Sequence, residues 1–507
     1  MATFAFFRSP SLQLSLSTYR LLLHPLRKYP GPFLAKLSDV YGGYFAVARR
    51  LHLQTYRDHL QYSTAYQFTV CLNACPLINR QGSVVRHGPN RLLFNSPTAL
   101  KDIYQNERVI KPSIYRASEV RPGQYNVFNS RDKKIHSAKR RLVGQALSDH
   151  SLRQFEPTLL EQISAFVGIL LEASETSHAV NMTPSCRHLG LDTIGQLGFG
   201  YDLKMQSEEE HRFLKKAIVF TNFRINLSLQ LPALINFRPD LIASHLPNSI
   251  RKRLLAVVEK MIATRLAQPV DAKHDLLSFI TPKLQTDLKG IQNGELWPEA
   301  VFFFGAGGDT TATAMAGAFF YLSRNPDCYK QLATEIRTTF KSADEIRGGP
   351  DLAGCRYLRG FGLSGRWTGS SGSRWTYHTT LTLVGVNIYS RNHNDGYFPD
   401  PFVFRPERWL CDDADKARAA STPFSVGSRT CAGKPLAYQE ISLALAKTLW
   451  YLDFEPAPGD LSKVGGGLLG ELMGEEERAN IRLMTSLEHT MMDLIWSSIH
   501  DKCIATN

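Results

Sequence analysis

The chain has 507 residues, 43% of them hydrophobic, and carries 59 Lys and Arg against 46 Asp and Glu for a net charge of +13. That much apolar material supports a large core and excludes a disordered or low-complexity protein, and eight cysteines without framework spacing point to a reducing compartment rather than a disulfide-stapled secreted fold. The positive charge suits an acidic protein partner or an anionic lipid surface; no recognition motif accompanies it, so no nucleic acid is expected as a partner.

A membrane-spanning helix needs about 20 apolar residues. The opening MATFAFFRSPSLQLSLSTYRLLL breaks its apolar run at Arg8, Pro10 and several serines, so a full span is not expected, although its hydrophobic pieces suit the membrane interface. Farther on, YRDHLQY and VVRHGPNRLLF would join as a strand pair, and STAYQFTVCLNACPLINRQGS interrupts them. Lengthening a surface loop costs little entropy, so this insertion is tolerable. Its Cys71 and Cys75 lack further ligands nearby and make a poor zinc site.

In IHSAKRRLVG, His136 and Arg140 stand one helical turn apart on one face, which also suits a solvated basic surface. From Ser151 to Lys341 amphipathic helical periods dominate, as in LEQISAFVGILLEA and IRKRLLAVVEKMIATRL. Then WPEAVFFFGAGGDTTATAMAGAFFYLSRNP predicts one long buried helix, with Pro298 in its first turn and Asn325-Pro326 as its stop. Glycines weaken a helix interior and an Asp is costly in a core, so Ala306-Gly307-Gly308-Asp309-Thr310-Thr311 marks either a functional site or a Gly-Thr kink. Phe302, Phe303 and Phe304 suit a hydrophobic pocket, but aromatics on a buried helix are more often plain core.

After CRYLR (355–359) the chain reads GFGLSGRWTGSSGSRWTYHTTLT, with no apolar period. Strand-like sequence resumes over Leu381 to Ile388, and PDPFVFRPERW carries Pro406, Glu407, Arg408 and Trp409. Together with short strands in the first hundred residues this predicts a mainly α (α+β) protein.

The most telling stretch is FSVGSRTCAG around Cys431. An iron-binding cysteine must be a thiolate, held by positive surroundings and backbone N–H groups. Gly427 permits a tight turn, Arg429 brings a fixed cation and Gly433 allows close approach to the backbone. Pro435 suits the opening turn of a helix through YQEISLALAKTLWYL, which places Cys431 at its positive end. Phe424 is spaced to lie beside the sulfur and limit water access.

The pattern F-x-x-G-x-R-x-C-x-G resembles the haem-ligand signature of the cytochrome P450 family of haem-thiolate monooxygenases, in its filamentous-fungal microsomal type. The resemblance implies the cytochrome P450 fold, a large helical bundle with small β-sheets, and haem b with Cys431 as its proximal thiolate ligand. It makes Phe424, Gly427, Arg429 and Gly433 parts of the ligand loop. Arg140 and His136 resemble propionate-holding positions, and Gly307 and Gly308 would shape the groove above the haem where dioxygen binds. Asp309 and Thr310 would hydrogen-bond a water and pass protons toward that oxygen. The motif HPLRKYPGP resembles the hinge after a membrane anchor, so residues 1–30 read as a degenerate anchor and hinge, and residues 31–507 as the catalytic domain.

The implied activity is oxidation, by hydroxylation in the usual manner of the family, of a lipophilic small molecule in fungal secondary metabolism. It would use O2 and NADPH-derived electrons from NADPH-cytochrome P450 reductase, at the cytosolic face of the endoplasmic reticulum membrane. The resemblance fails at about residues 61–82, 360–380 and the tail after Leu461. The missing E-x-x-R helix before the PERW segment, or meander, would deprive Arg408 of a buried ion network, and the replaced stretch looks like a shifted reading frame. If Arg408 stays dry and unpaired the cost is about 3 to 5 kcal/mol, so an inactive product that holds no haem is the alternative. An electron-independent haem-thiolate enzyme is a further rival, against which the Asp309-Thr310 pair speaks.

Overall fold

The computed structural model describes residues 10–72, 84–176, 178–236, 249–269, 272, 275–280, 296–363, 374–377, 382–412 and 414–459. Its main helices are α1 (Leu51–Leu72), α2 (Lys133–Ala146), α3 (Asp149–Glu175), α4 (Met182–Phe199), α5 (Phe213–Gln230), α6 (Ile250–Leu266), α7 (Leu296–Arg324), α8 (Pro326–Thr339), α9 (Arg356–Leu363) and α10 (Lys434–Tyr451). The strands are β1 (Val84–Gly88), β2 (Arg91–Phe94), β3 (Arg374–Tyr377) and β4 (Leu383–Val386). Helix dominates and the sheet is small, as the periodicities predict.

Local chemistry sets the helix ends. The side chain of Asp132 accepts the N–H groups of Lys134 and Ile135 to open α2, and Ser148 accepts that of Ser151 to open α3. Gly200, at φ 58°, closes α4 in the left-handed conformation. The long helix α7 begins two residues before Pro298 and stops before Asn325-Pro326. In α3 the residues Leu152, Phe155, Leu159, Ile163, Phe166 and Leu170 recur every three or four positions and are buried. They join Met315 and Phe319 of α7 and Leu443 and Leu445 of α10 in one core cluster. Leu159 and Ile163 are fully excluded from solvent, each burial contributing about 1.5 to 3 kcal/mol.

The sheet runs β1-β2-β4-β3. β1 and β2 are antiparallel, β2 and β4 are parallel with Leu92 opposite Val384, and β3 returns antiparallel to β4 with Trp375 opposite Gly385. Two expectations change here. The segment YRDHLQY belongs to α1, which continues to Leu72 into the interrupting stretch, while VVRHGPNRLLF forms the β1-β2 hairpin by itself. In the stretch without an apolar period, α9 extends to Leu363 and Arg374–Tyr377 pairs with β4. Strand pairing uses backbone groups, so a sheet edge can recruit a segment whose side chains show no pattern. Cys75 and the tail after Leu461 lie outside the described residues.

Candidate functional site

The loop before α10 is folded by its own backbone. The N–H of Cys431 donates to the Phe424 carbonyl at 2.9 Å, and the Thr430 hydroxyl donates to the carbonyls of Phe424 and Ser425. Ser425 and Gly427 both have positive φ, 62° and 78°. A Cβ at Gly427 would stand 2.2 Å from the Tyr104 carbonyl oxygen, so both the conformation and the approach to the preceding layer require glycine there. The Phe424 ring packs against Tyr438 at 5.2 Å between centroids. Cys431 is exposed, two residues before the helix cap at Gly433. A Cβ on Gly433 would lie 3.9 Å from the sulfur.

Helix α2 brings its basic face to this loop. Arg140 feels the charge of Cys431, which offsets in part the lowering of its pKa by burial. Arg429 donates to the Ser130 carbonyl at 2.7 Å, and burial draws its pKa down to about 10. His136 is buried, and its pKa falls to about 4, first by desolvation and then by the nearby charges of Arg429, Lys111 and Arg140. Its imidazole is therefore neutral at pH 7 and offers a hydrogen bond rather than a charge. A bound dianion would relieve the repulsion among these cations. The donor set thus fits haem b: a thiol for the iron at a helix N-terminus, with cations and a neutral imidazole beside it for the propionates. A buried ion pair of 3.1 Å between Lys139 and Glu299 ties α2 to the start of α7.

In α7, Thr310, Thr311 and Thr313 each donate a hydroxyl to the carbonyl four residues earlier, at 2.8, 3.0 and 2.8 Å. Such back-bonding bends helices. The Thr310 side is exposed and the Asp309 side is buried, so the two adjacent residues point apart. Asp309 meets Arg187 of α4 at 3.1 Å and accepts from Asn222 of α5 at 3.4 Å. The expected Asp309-Thr310 pair is therefore split between two environments.

Gly307 and Gly308 require a correction. A Cβ on Gly307 would meet Ile194 at 2.6 Å, one on Gly308 would meet Leu191 at 2.4 Å, and one on Gly190 would meet the Gly308 carbonyl oxygen at 2.6 Å. These glycines interlock α7 with α4, instead of clearing a groove on the opposite side.

Glu440 escaped the sequence reading. It is buried on α10, and desolvation raises its pKa to about 8, with the neighbouring hydroxyls of Thr311 and Thr193 pulling the other way. Its Oε1 has no hydrogen-bond partner among the described residues. An acid amid the apolar run ISLALAKTLW was the available signal.

Arg408 also differs from expectation. Its guanidinium is partly exposed and donates to the carbonyls of Pro399, Asp400, Val403 and Arg405. The penalty of a dry, unpaired cation does not arise.

Comparison with known proteins adds three findings. The family model described as Cytochrome P450 matches residues 88–353 and 381–464, leaving out the stretch that holds no E-x-x-R. The chain is 32% identical over 463 residues to "Cytochrome P450 monooxygenase poxM" of Penicillium oxalicum, covering 87% of this chain and 86% of the relative. It is 31% identical over 497 residues to "Cytochrome P450 monooxygenase AKT7" of Alternaria alternata, covering 92% and 91%. Among solved structures, a crystal structure of a cytochrome P450 (CYP102L1) superposes with a TM-score of 0.58 at 18% identity, over 76% of this chain and 88% of the other, which supports the fold.

Proposed function

Because the chain belongs to the cytochrome P450 family and is a haem-thiolate monooxygenase, we propose that it oxidises a lipophilic small molecule of fungal secondary metabolism with electrons from NADPH-cytochrome P450 reductase. The observation that carries this reading is the meeting of Cys431 and Arg429 with Arg140 and His136, which the sequence holds almost 300 residues away. Haem held by a thiolate supplies activation of O2 with electrons from a redox partner.

The residues divide the remaining work. Cys431 would ligate the haem iron, in a loop whose Gly427 turn and Phe424 packing keep the sulfur in place. Arg429 and Arg140 would hold the propionates, with His136 offering one hydrogen bond. The Thr310 hydroxyl donates to the Ala306 carbonyl and keeps its oxygen available to a water. Asp309 delivers protons only when its carboxylate leaves Arg187, whereas Glu440 holds a proton near neutral pH behind Thr311. The reading of an inactive product rested on a stranded Arg408 and is weakened by that residue's four carbonyl partners.

We place the enzyme at the cytosolic face of the endoplasmic reticulum. No helix in the described residues is long and apolar enough to cross a membrane. Leu12, Leu14, Leu22, Leu23, Phe33 and Leu34 are all more than half exposed, and Arg20, Arg27, Lys28 and Lys36 lie among them. Apolar groups interleaved with cations suit a segment lying in the interface of an anionic bilayer.

The test is the absorption spectrum of the haem-loaded chain, reduced and exposed to carbon monoxide. A strongly red-shifted Soret band that moves to the ordinary position in Cys431→His is expected. An ordinary band in the unaltered chain would overturn the reading.

A further inference from the structure

The meander reaches the core through contacts made by α9, the helix that begins just after the family match breaks off at residue 353. Glu335 of α8 fixes the start of α9, its two carboxylate oxygens accepting the N–H groups of Tyr357 at 2.8 Å and Leu358 at 2.9 Å. Tyr357, itself buried, then donates its hydroxyl to Glu407 Oε1 at 2.5 Å. The acceptor is a carboxylate, so this is among the stronger classes of hydrogen bond. One turn along, Gly360 lets the two pieces approach: a Cβ there would stand 3.2 Å from Leu410 and 3.6 Å from the Pro406 carbonyl oxygen.

Arg408 acts differently. Its bonds to the carbonyls of Pro399, Asp400, Val403 and Arg405 fold the meander upon itself. Trp409, next in sequence, is buried against Phe398, Ala417 and Ala420, and Arg418 donates to its carbonyl at 2.6 Å. This unit continues into the ligand loop beginning at Thr422. What joins it to α9 determines how firmly that loop is seated.

We propose that the hydrogen bond from Tyr357 to Glu407 is the latch that holds the meander, residues 399–410, on the core of this chain, with Glu335 as the group that positions the tyrosine. Tyr357, Glu407 and Glu335 are positioning residues: they touch neither the cofactor nor the reacting atoms. In a chain without the E-x-x-R segment they carry the attachment. The proposal rests on the haem-thiolate reading only for the second of its two readouts.

The first readout is hydrogen exchange of the purified full chain, which reports local opening. Tyr357→Phe keeps the ring and loses the donor. Peptides covering 399–410 should exchange about tenfold faster, the range expected for a lost hydrogen bond to a charged group, while α4 is unchanged. Glu407→Gln should act in the same direction, and the double variant should add nothing to Tyr357→Phe. In the second readout, part of the red-shifted carbon monoxide band of Tyr357→Phe should move to the ordinary position.

Unchanged meander exchange in Tyr357→Phe, or single effects that simply add in the double variant, overturns the latch. If Tyr357→Phe does not fold, Glu407→Gln decides by the same exchange: faster supports the latch and unchanged overturns it. An unaltered chain lacking the red-shifted band overturns the haem-thiolate reading instead, and the exchange experiment still decides the latch.

Discussion

Arg187 of α4 and Asp309 of α7 form a buried ion pair at 3.1 Å, between residues 122 apart in sequence. Nη1 of Arg187 is buried without a hydrogen-bond partner among the described residues. Removing the cation alone should therefore be worse than removing both charges. Arg187→Met is expected to lower stability by about 3 to 5 kcal/mol, and Arg187→Met with Asp309→Leu to recover most of it. Denaturant unfolding of the two variants checks this; equal losses would show that the pair is not isolated from solvent.

Thr310 presents its hydroxyl on the exposed side of the same helix. With any substrate that the enzyme turns over, Thr310→Ala should lower the product formed per electron consumed by about tenfold or more, with the carbon monoxide spectrum unchanged. Unchanged coupling would remove Thr310 from proton delivery.

Three of the glycines of α7 should respond in opposite directions. Gly307→Ala and Gly308→Ala would drive a methyl into Ile194 and Leu191 and should each cost about 1 to 3 kcal/mol. Gly305 has nothing within 4 Å of an added Cβ. There the alanine should gain about 0.5 to 1 kcal/mol from helix propensity. Thermal unfolding separates the cases, and a neutral Gly308→Ala would contradict the interlocked crossing.

Glu440 predicts a pH dependence. Its folded pKa of about 8 lies above the ordinary carboxylate value of 4.5. Between those values the folded state binds the extra proton, so this group's stabilisation is full below about pH 4.5 and is lost as pH rises toward 8. In Glu440→Gln that decline should disappear. The measurement is unfolding free energy against pH in both chains, and parallel curves would place the titration elsewhere.

Much of the fold was legible because its signals act over a few residues. Pro298 and Asn325-Pro326 bracket α7, Asp132 and Ser148 open α2 and α3, and the period of the buried residues in α3 marks the core face. The ligand loop was legible for the same reason: Phe424, Gly427, Arg429 and Cys431 lie within eight positions, and their turn is closed by their own backbone.

Other features depended on neighbours that the sequence places far away. Gly307 and Gly308 announced an absence of side chains, but only the crossing of α4 showed which side needed it. Asp309 and Thr310 are adjacent, yet a step of about 100° around the helix sends one to Arg187 and leaves the other exposed. His136 looked cationic on a basic face; burial beside Arg429 and Lys111 makes it neutral.

The sequence by itself determined the family, the candidate ligand loop around Cys431 and the long helices, because capping, periodicity and turn chemistry are local. The tertiary structure alone decided what each polar residue near the site is bonded to. Desolvation and pairing are set by whichever elements close over a group, so the roles of Asp309, Glu440, Arg408 and Tyr357 appear only once the helices are packed.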